Sequence, residues 1–269
     1  MSTIRYHEAL ERVYTNTLTS QDGYVQVPTV LFVSERDLGL PSLPAVGFHI
    51  IREGKMALIK PADQTYSTLA LSLHPDIWVK DEEFPLIRKF AENIILTGNI
   101  STQVIPAESR MNILRRSALK VVDDLFENPT SENMQRSNKM VGSFVYLLMK
   151  DPKAYMMLTR LSSHDPYTLQ HSVGTAVNSI ILAKKMGIKD ERELQEAGLA
   201  GLLHDIGKVK VKKEIINKPG PLDELEWEEM RQHTSEGFEI VKDNPDVSTR
   251  AKRAIIEHHE DKNGTGYPH

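Results

Sequence analysis

Apolar positions follow two different rhythms along the chain, and the change falls near residue 105. Before it, apolar residues gather in short stretches, Tyr24–Val33, Gly47–Lys60 and Thr65–Val79. Turn signals separate them, among them Gly39-Leu40-Pro41, Glu53-Gly54 and Pro61-Ala62-Asp63. Short runs bounded by such residues predict strands. Glu83–Thr97 then places Phe84, Ile87, Phe90, Ala91 and Ile94 at helical spacing. Residues 1–105 therefore read as a small α+β module with no chemical motif.

From Ala107 the rhythm is helical almost to the end. Met111, Leu114, Ala118, Val121, Val122 and Leu125 mark one stripe, which Pro129 stops. Ser131 is placed to cap the next helix, which runs to about Lys150 with Met134, Met140, Phe144, Leu147 and Leu148 inward. Further helices are predicted over Met156–Leu161, Tyr167–Met186, Glu191–Ile206, Leu222–Val241 and Val247–Glu260. Gly187 and Gly207 would close two of them, and Asn217-Lys218-Pro219-Gly220-Pro221 breaks the series. The expected organisation is an α+β module over 1–105 followed by an all-α bundle over 106–269. The ten Met residues, eight of them in these predicted helices, read as core filling.

Composition narrows the class. The 269 residues carry 33 Lys and Arg against 37 Asp and Glu, a net charge of -4. That balance argues against a nucleic-acid polymer as partner, since backbone binding needs a basic surface. There is no Cys, which excludes disulfides, iron–sulfur clusters, cysteine zinc sites and thiol nucleophiles. No apolar run approaches the roughly 18 residues of a membrane span, and Met1–Val13 has no signal-peptide core. The expectation is a soluble, cytoplasmic protein with no membrane partner.

Candidate chemistry lies in the helical half. Five of the ten His sit at His171, His204, His233, His258 and His259, with Asp205 beside His204. Taken singly, such residues are more often core or helix-end groups; it is the conjunction that points to metal. Imidazole and carboxylate without sulfur favour Fe, Mn or Zn over Ca or Mg. Five His and one Asp exceed one tetrahedral shell, so two ions are expected. Two ions a few ångströms apart can clamp the attacking and leaving oxygens of a phosphodiester. Lys208 follows Asp205 by three residues and would lie on the same face. With Lys210, Lys212, Lys213 and Lys218 it makes five Lys against Asp205 and Glu214, a local positive edge suited to a phosphate-bearing ligand.

These residues resemble the HD-GYP branch of the HD superfamily, bacterial metal-dependent phosphodiesterases acting on cyclic di-GMP. The likeness runs from about Tyr146 to Pro268. It rests on His164-Asp165-Pro166-Tyr167-Thr168-Leu169-Gln170-His171-Ser172, Leu202-Leu203-His204-Asp205-Ile206-Gly207-Lys208, Ile216-Asn217-Lys218-Pro219-Gly220, Met230-Arg231-Gln232-His233, His258-His259-Glu260 and Gly264-Thr265-Gly266-Tyr267-Pro268. The resemblance implies a helical bundle and two divalent metals, Fe first with Mn or Zn as alternatives. The ligands would be His171, His204, Asp205, His233, His258 and His259, with Asp205 bridging. Asp205 and Lys208 would be the catalytic pair, and Lys208, Lys218 and Tyr267 would meet substrate. Tyr167 stands where some relatives carry a Glu that recruits a third metal, which argues for two here.

The implied reaction is hydrolysis of cyclic di-GMP to linear pGpG, and onward to GMP, in bacterial second-messenger signalling. Rival readings are an inactive HD-GYP sensor binding cyclic di-GMP or a signalling protein through the Tyr267 turn, an HD phosphohydrolase for another nucleotide, and a structural metalloprotein. Three positions depart from the family pattern. Asn263 replaces the usual Asp, Leu169 an aromatic residue, and the chain ends at His269 where relatives continue into helices bearing a further Asp ligand. The chain thus reads as a fragment of a longer protein. Residues 1–105 loosely resemble the N-terminal module of relatives at Ile77-Trp78-Val79-Lys80-Asp81, and are expected to regulate or to form a homodimer.

Overall fold

The computed structural model describes residues 6–15, 18–28, 31–32, 45–62, 74, 76–96, 107–150 and 168–268. The chain divides into two compact units, Met1–Ser117 and Ala118–His269. The expected helix over Met156–Leu161, the early part of the Thr65–Val79 strand, and Tyr167 lie outside the described residues.

The first unit opens on a helix that the sequence pattern did not announce, α1 (Tyr6–Thr15), whose Ala9, Leu10 and Val13 are buried. A five-stranded sheet follows, made of β1 (Ser20–Gln21), β2 (Tyr24–Pro28), β3 (Phe48–Arg52), β4 (Lys55–Lys60) and β5 (Asp76–Lys80) in the order β1-β2-β5-β3-β4. All the strand pairings are antiparallel. The apolar run Gly47–Lys60 is therefore a hairpin. Glu53 and Gly54, with φ of 51° and 74°, make the two-residue turn whose twist suits paired strands. α2 (Phe84–Leu96) buries Ile87, Phe90, Ala91 and Ile94, the face the sequence predicted. Phe32 lies between Phe48 and Phe90, with ring centroids 5.3 and 5.5 Å away.

α3 (Ala107–Glu127) spans the division between the units, and α4 (Ser131–Lys150) follows the Pro129 stop. The cap here is Thr130 rather than the expected Ser131: its hydroxyl accepts from the Asn133 amide at 3.2 Å. The remaining helices are α5 (Thr168–Lys185), α6 (Glu191–Leu203), α7 (Lys213–Ile216), α8 (Glu224–Arg231), α9 (His233–Val241) and α10 (Thr249–Glu257), with a 3-10 turn over Ile206–Lys210. Helix α6 is central, packed against α4, α5 and α10. Its Leu194, Leu199, Leu202 and Leu203 are buried, each contributing about 1.5–3 kcal/mol of apolar transfer. Among the described residues no helix is long and apolar enough to cross a membrane.

Three element boundaries differ from the sequence reading. The helix expected over Leu222–Val241 is two helices, because Gln232 turns with its N–H on the Glu229 carbonyl at 3.2 Å. That makes His233 the first residue of α9 rather than a mid-helix residue. The helix expected to run to Ile206 stops at Leu203, and Gly207 does not end it in a left-handed conformation. Gly187 does, with φ of 95°. Gly207 serves close approach instead: a Cβ there would lie 1.9 Å from the His233 carbonyl oxygen.

Candidate metal centre

Helix termini supply nearly every candidate ligand. His171 sits in the first turn of α5, His204 just beyond α6, and Asp205 ahead of the 3-10 turn. His233 opens α9, and His258 and His259 follow α10. Asp205 is at the middle of this set and only 2% exposed. Its two oxygens face different partners. Oδ2 lies 3.3 Å from His204 Nε2 and 3.7 Å from His171 Nε2. Oδ1 lies 3.4 Å from His233 Nε2 and 3.8 Å from His258 Nε2. Two clusters of ligand atoms result, His171 with His204 and Asp205, and His233 with His258 and His259, each within 4.8 Å.

One device aims three of the rings. His204 Nδ1 meets the Gly201 carbonyl at 2.8 Å, His233 Nδ1 the Met230 carbonyl at 2.6 Å, and His258 Nδ1 the Ile255 carbonyl at 2.9 Å. Each is a carbonyl three residues back in the last turn of a helix, where acceptors lack an intrahelical donor. A carbonyl only accepts, so each Nδ1 carries the proton and each neutral ring turns a bare Nε2 inward. His233 and His258 then set two acceptors 3.2 Å apart. Burial pushes the His258 pKa down to about 4, with the neighbouring His204, His259 and His233 adding to the effect. Burial also lowers His233, against the pull of the Met230 carbonyl, and lowers His171 and His259. Protonation is therefore not what reconciles these facing lone pairs near neutral pH. Buried acceptors without a donor cost about 1–3 kcal/mol each. A cation between them removes that cost, and the donor set of imidazole nitrogens and one carboxylate fits a divalent first-row metal. The Nδ1–carbonyl bonds are the outer-shell partners that metal-bound imidazoles characteristically keep.

Burial alone would raise the Asp205 carboxyl, but His204 and the Lys208 ammonium outweigh it and hold the group well below the ordinary carboxylate range. Lys208 Nζ donates to Asp205 Oδ2 at 2.7 Å. The two residues lie on one face as expected, but through 3-10 geometry, in which positions three apart eclipse.

Glycines bring these pieces together. A Cβ at Gly201 would lie 2.7 Å from Ser179 Oγ and 2.9 Å from the Thr175 carbonyl, so α6 touches α5 backbone one turn before His204. A Cβ at Gly198 would meet Ile180 at 2.7 Å. Gly207 presses the 3-10 turn onto the start of α9, bringing Asp205 to His233. Gly266 folds the terminal turn onto the chain after His259, where a Cβ would lie 2.3 Å from the His259 carbonyl oxygen.

That turn carries Tyr267, stacked on His259 with centroids 4.6 Å apart and planes at 18°. Burial raises the Tyr267 phenol, which stays a neutral donor. Asn263 uses its amide oxygen to accept from the Thr265 hydroxyl at 2.8 Å and from the Thr265 amide at 3.3 Å. An amide oxygen fills this role as a carboxylate would. The positive edge expected over residues 205–218 is mostly compensated: Lys212 pairs with Glu229 at 2.7 Å, and Lys218 pairs with Glu226 inside the α8 capping box. Lys218 thus has its ammonium on α8. Counting charge along the chain missed these acids because they lie on the next helix. Arg231, which carried no expectation, has its guanidinium carbon 5.9 Å from the Tyr267 ring centroid.

The family model for the HD domain matches residues 168–268. A cyclic di-GMP phosphodiesterase of Pseudomonas aeruginosa is 41% identical over 132 residues, covering 49% of this chain and 32% of that protein. A 3′3′-cGAMP-specific phosphodiesterase of Vibrio cholerae is 30% identical over 207 residues, covering 70% of this chain and 45% of its own length. The chain thus spans less than half the length of these relatives. Among solved structures, an HDG"Y"P protein of Bdellovibrio bacteriovorus superposes with a TM-score of 0.59 at 23% identity, covering 90% of this chain and 79% of that one. It shares the fold. Residues 168–268, the stretch that the HD domain model matches, hold every candidate ligand described above.

Proposed function

We propose that the chain is a binuclear-metal phosphodiesterase that opens cyclic di-GMP to linear pGpG in second-messenger signalling, with cytoplasmic location. The observation that carries this reading is the division of Asp205, one oxygen toward His171 and His204 and the other toward His233 and His258. A carboxylate so placed suits two ions, His259 completing the second set. Iron is the first candidate and manganese or zinc the alternatives, given ligands of imidazole and carboxylate. When bound, such ions supply Lewis-acid polarisation of a phosphodiester and activation of water.

The chain's own residues supply the rest. Asp205 and the five His hold and space the centre. Lys208, with its side chain 25% exposed, keeps one hydrogen bond to Asp205 and has donors left for a phosphate oxygen. It is placed to offset charge that develops on the phosphoryl group and to protonate the departing 3′ oxygen. In the overall reaction one P–O3′ bond breaks, a water oxygen joins phosphorus, and the 3′ oxygen takes a proton. Tyr267 is assigned to the substrate mouth; Lys218 is assigned there too, but would have to leave Glu226 to reach a phosphate. The relatives named as acting on cyclic di-GMP and on 3′3′-cGAMP support a cyclic dinucleotide as substrate. Hydrolysis of 3′3′-cGAMP is the second reading, since that relative matches the larger share of this chain.

The test is chromatography of products after metal-loaded protein meets each cyclic dinucleotide. Linear pGpG from cyclic di-GMP is expected, and K208A should keep its metal while turnover falls about 100-fold or more. Metal-loaded protein that leaves both dinucleotides intact would contradict the reading.

A further inference from the structure

We infer that Arg231 is a substrate-binding residue, holding an anionic group of the cyclic dinucleotide away from the phosphodiester being cut. The assignment rests on the cyclic-dinucleotide reading above and adds a residue to it. Arg231 ends α8, two positions before His233, and its side chain is exposed. Its guanidinium carbon lies 5.9 Å from the Tyr267 ring centroid, Tyr267 stacks on His259 at 4.6 Å, and the His259 ring is 5.2 Å from His233. The guanidinium is thus one ring beyond a candidate ligand, at the outer side of the centre.

Among the described residues its charge is not spent on a carboxylate. Lys208 donates to Asp205, Lys212 to Glu229 and Lys218 to Glu226. Among the described residues, no carboxylate lies within ion-pair distance of Arg231. A guanidinium held against an aromatic face has a fixed plane and a fork of donors that matches phosphate oxygens in pairs. A cyclic dinucleotide carries two phosphodiesters. With one at the metals and Lys208, the second is an anion elsewhere on the same small ring, and Arg231, without a carboxylate partner among the described residues, is a cation that the Tyr267 stack presents beside the centre.

The distinction between one and two phosphodiesters gives the test. Wild type, R231A and R231K are compared for metal content, for cyclic di-GMP binding by calorimetry, and for hydrolysis of bis(p-nitrophenyl) phosphate, which has a single phosphodiester. R231A should bind the dinucleotide about ten- to a hundredfold more weakly, the loss expected for one charge-assisted contact. Its metal content and its rate on the single-phosphodiester compound should match wild type, and R231K should recover part of the affinity. Wild-type binding that R231A leaves unchanged overturns the assignment alone. A wild type that hydrolyses the single-phosphodiester compound but does not bind cyclic di-GMP overturns the substrate reading and this assignment with it.

Discussion

Gly207 shows how single residues fix the centre. It lies between Asp205 and Lys208 in sequence and touches the His233 backbone in space, so its missing side chain sets the spacing of three functional groups. G207A puts a methyl 1.9 Å from a backbone oxygen, which no rotamer change relieves. We expect a loss of about 1–3 kcal/mol, together with a fall in bound metal because His233 is displaced. Thermal melting and metal analysis on the same sample check this; unchanged values in both would show that the 3-10 turn can move freely. The candidate ligands could be named from sequence because His and Asp are chemically distinctive. What was not legible was how they are aimed. The Nδ1–carbonyl bonds of His204, His233 and His258 depend on where helices end, and the ends at Leu203, Arg231 and Glu257 all differ from the sequence reading. Arg231 escaped notice because its partner, Tyr267, is 36 positions away in the chain.

The helices follow from apolar spacing closely enough that α2, α3, α4 and α5 were placed within a few residues, and the stripes expected on α2, α3 and α4 are buried wherever their side chains are described, save Leu147, which is half-buried. Misses came from polar contacts that periodicity does not encode. Helix α1 was hidden by its mixed charges, and the cap of α4 moved to Thr130. The join of α3 and α4 offers a test at this scale. Asp124 on α3 accepts from Lys120 at 2.8 Å and from Arg136 on α4 at 2.9 Å. Burial would raise the Asp124 carboxyl, but the hydrogen bonds and charges of Lys120 and Arg136 prevail and lower it. A carboxyl lowered on folding adds stability above its unfolded value, about 3.9, and loses it as pH falls through the lowered folded value. D124N should therefore melt below wild type at neutral pH, by at most about 1 kcal/mol for a partly exposed pair. The gap should close as the pH falls through the lowered folded value. Melting curves from pH 2.5 to 7 for the two proteins measure it, and a gap independent of pH would assign the loss to packing instead.

Across the whole chain, the chemistry lies in the second unit and the sheet in the first. Sequence rhythm showed this contrast, and the family resemblance agrees with the HD domain over residues 168–268. It did not show the role of the first unit, since a packed sheet needs no chemical motif. We propose that it regulates the HD domain or pairs two copies. Removing the chain before Ala107 should change turnover or oligomeric state; a shortened protein matching the full chain in both would remove that proposal.

We propose above all that Asp205 would serve two metal ions, one through each oxygen. Metal content per chain, on protein purified without chelator and assayed on the same sample for cyclic di-GMP turnover, tests it most directly. About two ions per chain with turnover are expected, and in D205A a loss of both metal and activity, because each ion would share this ligand. Wild type holding a single ion while fully active, or D205A retaining two, would contradict it.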